Sequence, residues 1–66
     1  MIDVSELKAY MARKGYTQKA LAKEIGISEG TMLRRLKSRN FNSDEAEKII
    51  RILGILNPAD IFFAGE

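Results

Sequence analysis

Apolar residues recur three and four positions apart in five short stretches of the chain, and this spacing is typical of α-helices. No stretch alternates apolar and polar residues as a half-buried strand does. In the first stretch, Asp3 and Glu6 have the spacing of a capping box, and Gly15 is suited to end the helix. Its inner face would consist of Val4, Leu7 and Met11. The pattern therefore predicts an all-α protein.

Residues 17–36 contain two of these stretches and read TQKALAKEIGISEGTMLRRL. Thr17 and Ser28 can cap the two helices with their hydroxyls, and Gly26 suits the left-handed residue that ends the first one. Two apolar pairs lie four residues apart on the inner faces: Leu21 with Ile25, and Met32 with Leu36. Each helix is too short to be stable alone, so the two must pack together. This arrangement is a helix-turn-helix, which favours DNA binding.

Boundary signals extend the prediction to five helices. We expect helices over about residues 3–14, 18–25 and 29–37, with Phe41 as an apolar plug in the polar loop 38–42. Asn42 or Ser43 would cap a fourth helix that Gly54 ends, and an Asn57 cap followed by Pro58 would open a short fifth helix. We therefore predict a compact five-helix orthogonal bundle that forms a single domain over residues 1–66.

The charge of the chain is concentrated in its middle. The formal net charge is only +2, but residues 13–39 carry eight Lys or Arg against two Glu, a local net charge of +6. The flanking segments are acidic, with −1 over residues 1–12 and −3 over residues 40–66. Short charged helices can be lopsided by chance, but this basic block coincides with the helix-turn-helix and so favours a polyanion partner.

Composition narrows the possible chemistry. The chain has no cysteine and no histidine, which excludes disulfides, thiolate chemistry and imidazole-bound zinc, and leaves only an all-carboxylate magnesium or calcium site formally open. Ser28 and Ser43 are better explained as helix caps than as nucleophiles, so we expect no enzyme activity and no cofactor. The N-terminus has acidic residues and no long apolar run, and we expect a cytoplasmic protein without a signal or membrane span.

The segment TQKALAKEIGISEGTMLRRL, with one helix before it and the endings LGI and NPADIFF after it, resembles the bacteriophage repressor and Cro family of XRE-like helix-turn-helix proteins. The resemblance covers nearly the whole chain. It implies sequence-specific binding to double-stranded DNA, with the third helix in the major groove. Repression would follow from occlusion of an operator, without catalysis.

A helical wheel places Met32 and Leu36 together and turns the other side of the third helix outward. With the resemblance, this implies a base-reading set of Ser28, Glu29, Gly30, Leu33, Arg34 and Lys37. Arg34 is the strongest candidate, because its guanidinium can bond the O6 and N7 atoms of guanine. The expected phosphate contacts are Gln18, Lys19, Arg39 and Asn40, although Gln18 is equally well explained as a second cap residue of its helix.

Three residues of the third helix carry open alternatives. Glu29 either accepts a hydrogen bond from a cytosine amino group or stabilises the helix dipole. Gly30 either removes a base contact or allows a closer approach to the groove, at a cost of about 1 kcal/mol relative to alanine. Arg35 lies beside the core face and can reach back over apolar surface rather than to DNA.

The C-terminal helices hold more apolar residues than one face can bury, and at least half of them should complete the core. The surplus, namely Ile52, Leu56 and Phe63, predicts a homodimer contact and hence a near-palindromic operator. The alternative is a protein-interaction module on the same fold, such as an antitoxin or antirepressor, which would use this apolar end and not Arg34. The chain would be either a small Cro-like regulator or the DNA-binding part of a longer repressor.

Overall fold

Five helices occupy most of residues 2–63, the part of the chain that the computed structural model describes. They are α1 (Val4–Lys14), α2 (Gln18–Ile25), α3 (Glu29–Ser38), α4 (Ser43–Leu53) and α5 (Pro58–Phe62). Helix α2 packs against α3 and α4, and α1 packs against α4 and α5. The all-α bundle with a helix-turn-helix at α2 and α3 is therefore confirmed.

Four helices begin with a side-chain cap at the predicted position. Each cap accepts the backbone N–H three residues further on, and the caps are Asp3, Thr17, Ser28 and Asn42. The capping box is reciprocal only at α4, where Glu45 accepts the Asn42 N–H at 3.0 Å. At α1 the predicted box is half formed, because the Asp3 N–H instead donates to the Ile61 carbonyl at 2.7 Å.

Helix α5 begins without the predicted side-chain cap. Asn57 makes no capping hydrogen bond with its side chain, and its carbonyl instead accepts the Asp60 N–H at 3.1 Å. Pro58 does occupy the first turn, as expected. Proline has no N–H to satisfy, and its fixed φ suits a helix start. This five-residue helix therefore has one fewer backbone N–H for a cap to bond.

The first four helices end at a residue in the left-handed region. Three of these residues are the predicted glycines, Gly15, Gly26 and Gly54, with φ of 76°, 84° and 63°. Helix α3 runs one residue beyond its predicted end and closes on Arg39, whose φ is 56°. The Asn40 N–H then donates to the Arg35 carbonyl at 3.1 Å, so the closure has the bonding of a glycine-ended helix without the glycine.

Every helix contributes to one apolar core. The largest fully buried side chains are Leu7, Leu21, Met32, Ile49, Leu53 and Ile61. Ala22 is also buried on α2, where its small side chain suits the close packing against α3. Phe41 joins the core as predicted, and so does Ile2, which lies before α1 and outside any periodic stretch. The core thus fixes α3 through Met32 and Leu36.

Candidate nucleic-acid interface

Helix α3 has a buried side and an exposed side. Met32 and Leu36 are 0% and 7% exposed and face the core. The residues predicted to read bases are all exposed: Ser28, Glu29, Gly30, Leu33, Arg34 and Lys37. Leu33 is 52% exposed, which is unusual for a large apolar side chain in this structure. The structure therefore leaves the whole predicted base-reading set accessible to a partner.

Hydrogen bonds join three side chains along the exposed side of α3. Ser28 Oγ caps the Thr31 N–H at 3.1 Å and donates to Thr31 Oγ1 at 2.9 Å. Arg34 Nη2 donates to the same Thr31 Oγ1 at 3.0 Å. We call this set the 28–31–34 network. Thr31 is not among the residues predicted from the sequence, although its spacing of three from both Ser28 and Arg34 is a signal for such contacts.

The start of α3 has room around its backbone. A Cβ built at Gly30 would meet only Ser28 Oγ, at 3.9 Å, so packing within the chain does not require glycine there. Glu29 is the first residue of α3 and is exposed. A carboxylate at that position lies where the partial positive charge of the helix end stabilises it.

Two cations of the basic block are engaged away from the exposed side of α3. Arg35 pairs with Glu45, with its Nε 3.0 Å from Oε1 and its Nη2 3.3 Å from Oε2. Arg13 lies 3.7 Å from Glu6 and stacks over the Tyr10 ring, 4.5 Å from its centroid. Arg35 thus turns back to the protein, but to a buried carboxylate rather than over apolar surface, and the local charge of +6 overstates what a polyanion would meet.

The candidate phosphate contacts lie at two helix ends. Gln18 and Lys19 open α2, where the Thr17 hydroxyl takes only the Ala20 N–H, at 3.0 Å. Among residues 2–63, the N–H groups of Gln18 and Lys19 donate to no other group, so they can donate to an anion. Arg39 and Asn40 follow the last turn of α3, and both are exposed.

Glu45 connects α3 to α4. It is only 5% exposed and accepts three hydrogen bonds, two from Arg35 on α3 and one from the Asn42 N–H at the start of α4. No buried polar side-chain atom among the described residues lacks a partner. This bridge fixes the later turns of α3 relative to α4.

The predicted dimer residues differ in their surroundings. Leu56 and Phe63 are 85% and 59% exposed, whereas Ile52 is half-buried against the core. Leu56 lines a groove with Tyr10 and Gly54, and Phe63 lines a different groove that includes Ile2 and Phe41. Three other apolar residues of the C-terminal segment, Ile55, Ile61 and Phe62, are buried, as expected for the part that completes the core.

Two further observations concern residues 2–63. None of the helices there is long and apolar enough to cross a membrane. Over the same residues, no three acidic side chains gather into a cluster that could hold a metal ion.

Comparison with known proteins agrees with this geometry. The family model described as the Cro/C1-type HTH DNA-binding domain matches residues 6–63, which include α2 to α5 entirely and most of α1. No curated protein and no solved structure matches the chain significantly. The family match covers well over half of the sequence and includes both helices of the helix-turn-helix. The chain therefore belongs to the Cro/C1-type helix-turn-helix family of DNA-binding domains.

Proposed function

We propose that the protein is a sequence-specific transcription regulator of the phage or mobile-element type, and that it binds double-stranded DNA in the cytoplasm. The observation that carries this proposal is the division of α3 into a core side, anchored by Met32 and Leu36, and an exposed side that holds Arg34 and Leu33. In helix-turn-helix proteins such an exposed side enters the major groove. Residues 1–66 would act as one domain.

Base reading and phosphate binding would be divided between separate groups. The proposed base-reading residues are Ser28, Glu29, Gly30, Leu33, Arg34 and Lys37, all on the exposed side of α3. Gln18 and Lys19 at the start of α2, with Arg39 and Asn40 after α3, would hold phosphates of the DNA backbone. Phosphate contacts set the position of a protein on the duplex, and base contacts set its sequence preference.

The size of the molecule limits one copy to a single half-site on DNA. Its longest dimension is 28 Å, whereas successive major-groove half-sites on one face of the duplex lie about 34–36 Å apart. One copy can therefore read one half-site, and a homodimer would read a near-palindromic operator. The proposed contact uses Ile52, Leu56 and Phe63, of which Leu56 and Phe63 expose apolar surface. Occupancy of an operator by the dimer would repress transcription by excluding polymerase.

Selection from a pool of random duplexes tests the DNA-binding proposal. We expect enrichment of an inverted repeat and a steep fall in affinity with rising salt. The informative pair of variants is Arg34→Ala and Arg51→Ala, because each removes one cation from an exposed helix surface. Arg34→Ala should abolish the preference at one base pair per half-site, whereas Arg51→Ala, on α4, should leave it intact. Equal effects of the two variants would show that only overall charge matters.

The exposed apolar residues also suit the second candidate, a protein-interaction module that binds a partner through its C-terminal end. Sedimentation tests the proposed dimer, and DNA binding at low salt distinguishes the two candidates. We expect dimers, and we expect Leu56→Glu or Phe63→Glu to weaken them. A chain that stays monomeric well above the concentration that saturates DNA would contradict the dimer, and failure to bind any duplex at low salt would favour the interaction module.

A further inference from the structure

The 28–31–34 network has a chemical consequence for Arg34. Thr31 Oγ1 accepts from Ser28 Oγ at 2.9 Å and from Arg34 Nη2 at 3.0 Å, and a hydroxyl oxygen has two lone pairs to offer. Both are thus in use. Because Ser28 also caps the Thr31 N–H at 3.1 Å, the hydroxyl that holds Arg34 is itself tied to the first turn of the helix.

We propose that Thr31 is a positioning residue that holds the Arg34 guanidinium ready to read a guanine. This inference rests on the proposed DNA-binding function and deepens it. An arginine side chain has several rotatable bonds, and fixing them at the moment of binding costs conformational entropy. A bond already present in the free protein removes part of that cost.

The geometry leaves Arg34 able to make its base contact. A guanidinium has five N–H groups in a planar fork, with one donor pair on its Nη1–Nη2 edge and another on its Nε–Nη2 edge. Thr31 takes a single hydrogen of Nη2. Whichever hydrogen it takes, the other edge keeps both of its donors for the O6 and N7 atoms of guanine. Anchoring by Thr31 is therefore compatible with bidentate recognition.

Thr31 is well suited to hold this anchor because it is not itself a core residue. It is half-buried, between exposed Gly30 and buried Met32, and its β-branched side chain has few rotamers in a helix. Its hydroxyl thus has a nearly fixed position from which to bind Arg34. Serine would keep the hydroxyl, whereas valine keeps the shape and has similar helix propensity but lacks the acceptor.

The test compares Thr31→Val, Thr31→Ala and Thr31→Ser with the parent protein. The probe is the duplex enriched from a random pool by the parent protein, together with the set in which each of its base pairs is changed in turn. Arg34→Ala first identifies the base pair that Arg34 reads. At that base pair we expect it to lower the preference for the selected base by about 5- to 150-fold. Thermal unfolding of every variant establishes that it is folded at the assay temperature.

We expect Thr31→Val and Thr31→Ala to lower the discrimination at that one base pair by about fivefold, and Thr31→Ser to restore it. The slope of affinity against salt should not change, since no cation is lost. In an Arg34→Ala background, Thr31→Val should have no further effect at this base pair. A purely structural role would instead weaken binding to every duplex alike.

Several results would overturn the inference while leaving the proposed function in place. These are unchanged discrimination in Thr31→Val, a uniform loss across all duplexes, or discrimination that survives Arg34→Ala. Failure of the parent protein to enrich any duplex would overturn the proposed function, and the inference with it.

Discussion

Replacement of Glu45 by alanine is expected to destabilise the fold more than replacement of any exposed carboxylate. Glu45 accepts two hydrogen bonds from Arg35, at 3.0 and 3.3 Å, and one from the Asn42 N–H, at 3.0 Å. The carboxylate is only 5% exposed, so water competes little for these hydrogen bonds. The same side chain therefore joins α3 to α4 and completes the cap of α4.

The expected loss is about 2–3 kcal/mol in the free energy of unfolding. A buried hydrogen bond to a charged group contributes about 1.5–3 kcal/mol. The Arg35 side chain is 40% exposed, so after the substitution water can hydrogen-bond its guanidinium and offset part of this loss. The Asn42 N–H loses its acceptor, which costs about 0.5–1 kcal/mol. The total stability expected of a chain of this length is about 3–10 kcal/mol, so the change is a large fraction of it.

The assay is thermal unfolding, with Glu47→Ala as the matched control on the same helix. Glu47 pairs with Arg51 at 3.6 Å, but both side chains are 73% exposed, so this variant should lose less than about 0.5 kcal/mol. Glu45→Ala should lower the melting temperature by about 10–20 °C. If the two variants melt within about 2 °C of each other, the bridge between α3 and α4 does not contribute as argued.

Three further substitutions have defined outcomes. Gly30→Ala should raise the free energy of unfolding by about 1 kcal/mol in thermal melts, because its Cβ meets nothing closer than Ser28 Oγ at 3.9 Å; unchanged affinity for the selected duplex would then contradict the close-approach explanation of this glycine. Arg39→Gly should stabilise the protein by about 0.5 kcal/mol, because glycine adopts the left-handed backbone at φ 56° without strain. It should also reduce the salt dependence of DNA binding by about one phosphate contact. An unchanged salt slope would show that Arg39 does not contact DNA. Leu56→Ser should change the melting temperature little, because the side chain is 85% exposed, while sedimentation should show a weaker dimer; an unchanged dimer would place the contact elsewhere.

Local signals were enough to predict most of the fold. The caps Thr17 and Ser28 and the terminator Gly26 act within four residues of themselves, so the sequence shows them directly. The end of α3 lies within one residue of the expected position, but Arg39 carries no sequence signal for the left-handed conformation that closes it, because it is not glycine. The exposed side of α3 followed from helical periodicity and the buried pair Met32 and Leu36.

Contacts between distant segments could not be predicted in the same way. The Asp3 N–H donates to the Ile61 carbonyl, which belongs to the opposite end of the chain, so the predicted capping box at α1 lost its second bond. The Glu45 partner on α3 depends on the packing of two helices. The surplus of apolar residues could be counted from the sequence. The placement of Leu56 and Phe63 in separate grooves could not be predicted from it. Which residues touch DNA remains a prediction.

The separation of core-facing and outward-facing residues in α3 bears on how new binding preferences can arise. Its packing residues, Met32 and Leu36, are different from the residues that point outward, and Arg35 is occupied with Glu45. If the outward side reads bases as proposed, substitutions there would alter the DNA preference without disturbing the core. A library randomised at Glu29, Leu33, Arg34 and Lys37 would present many alternative reading surfaces on one unchanged scaffold.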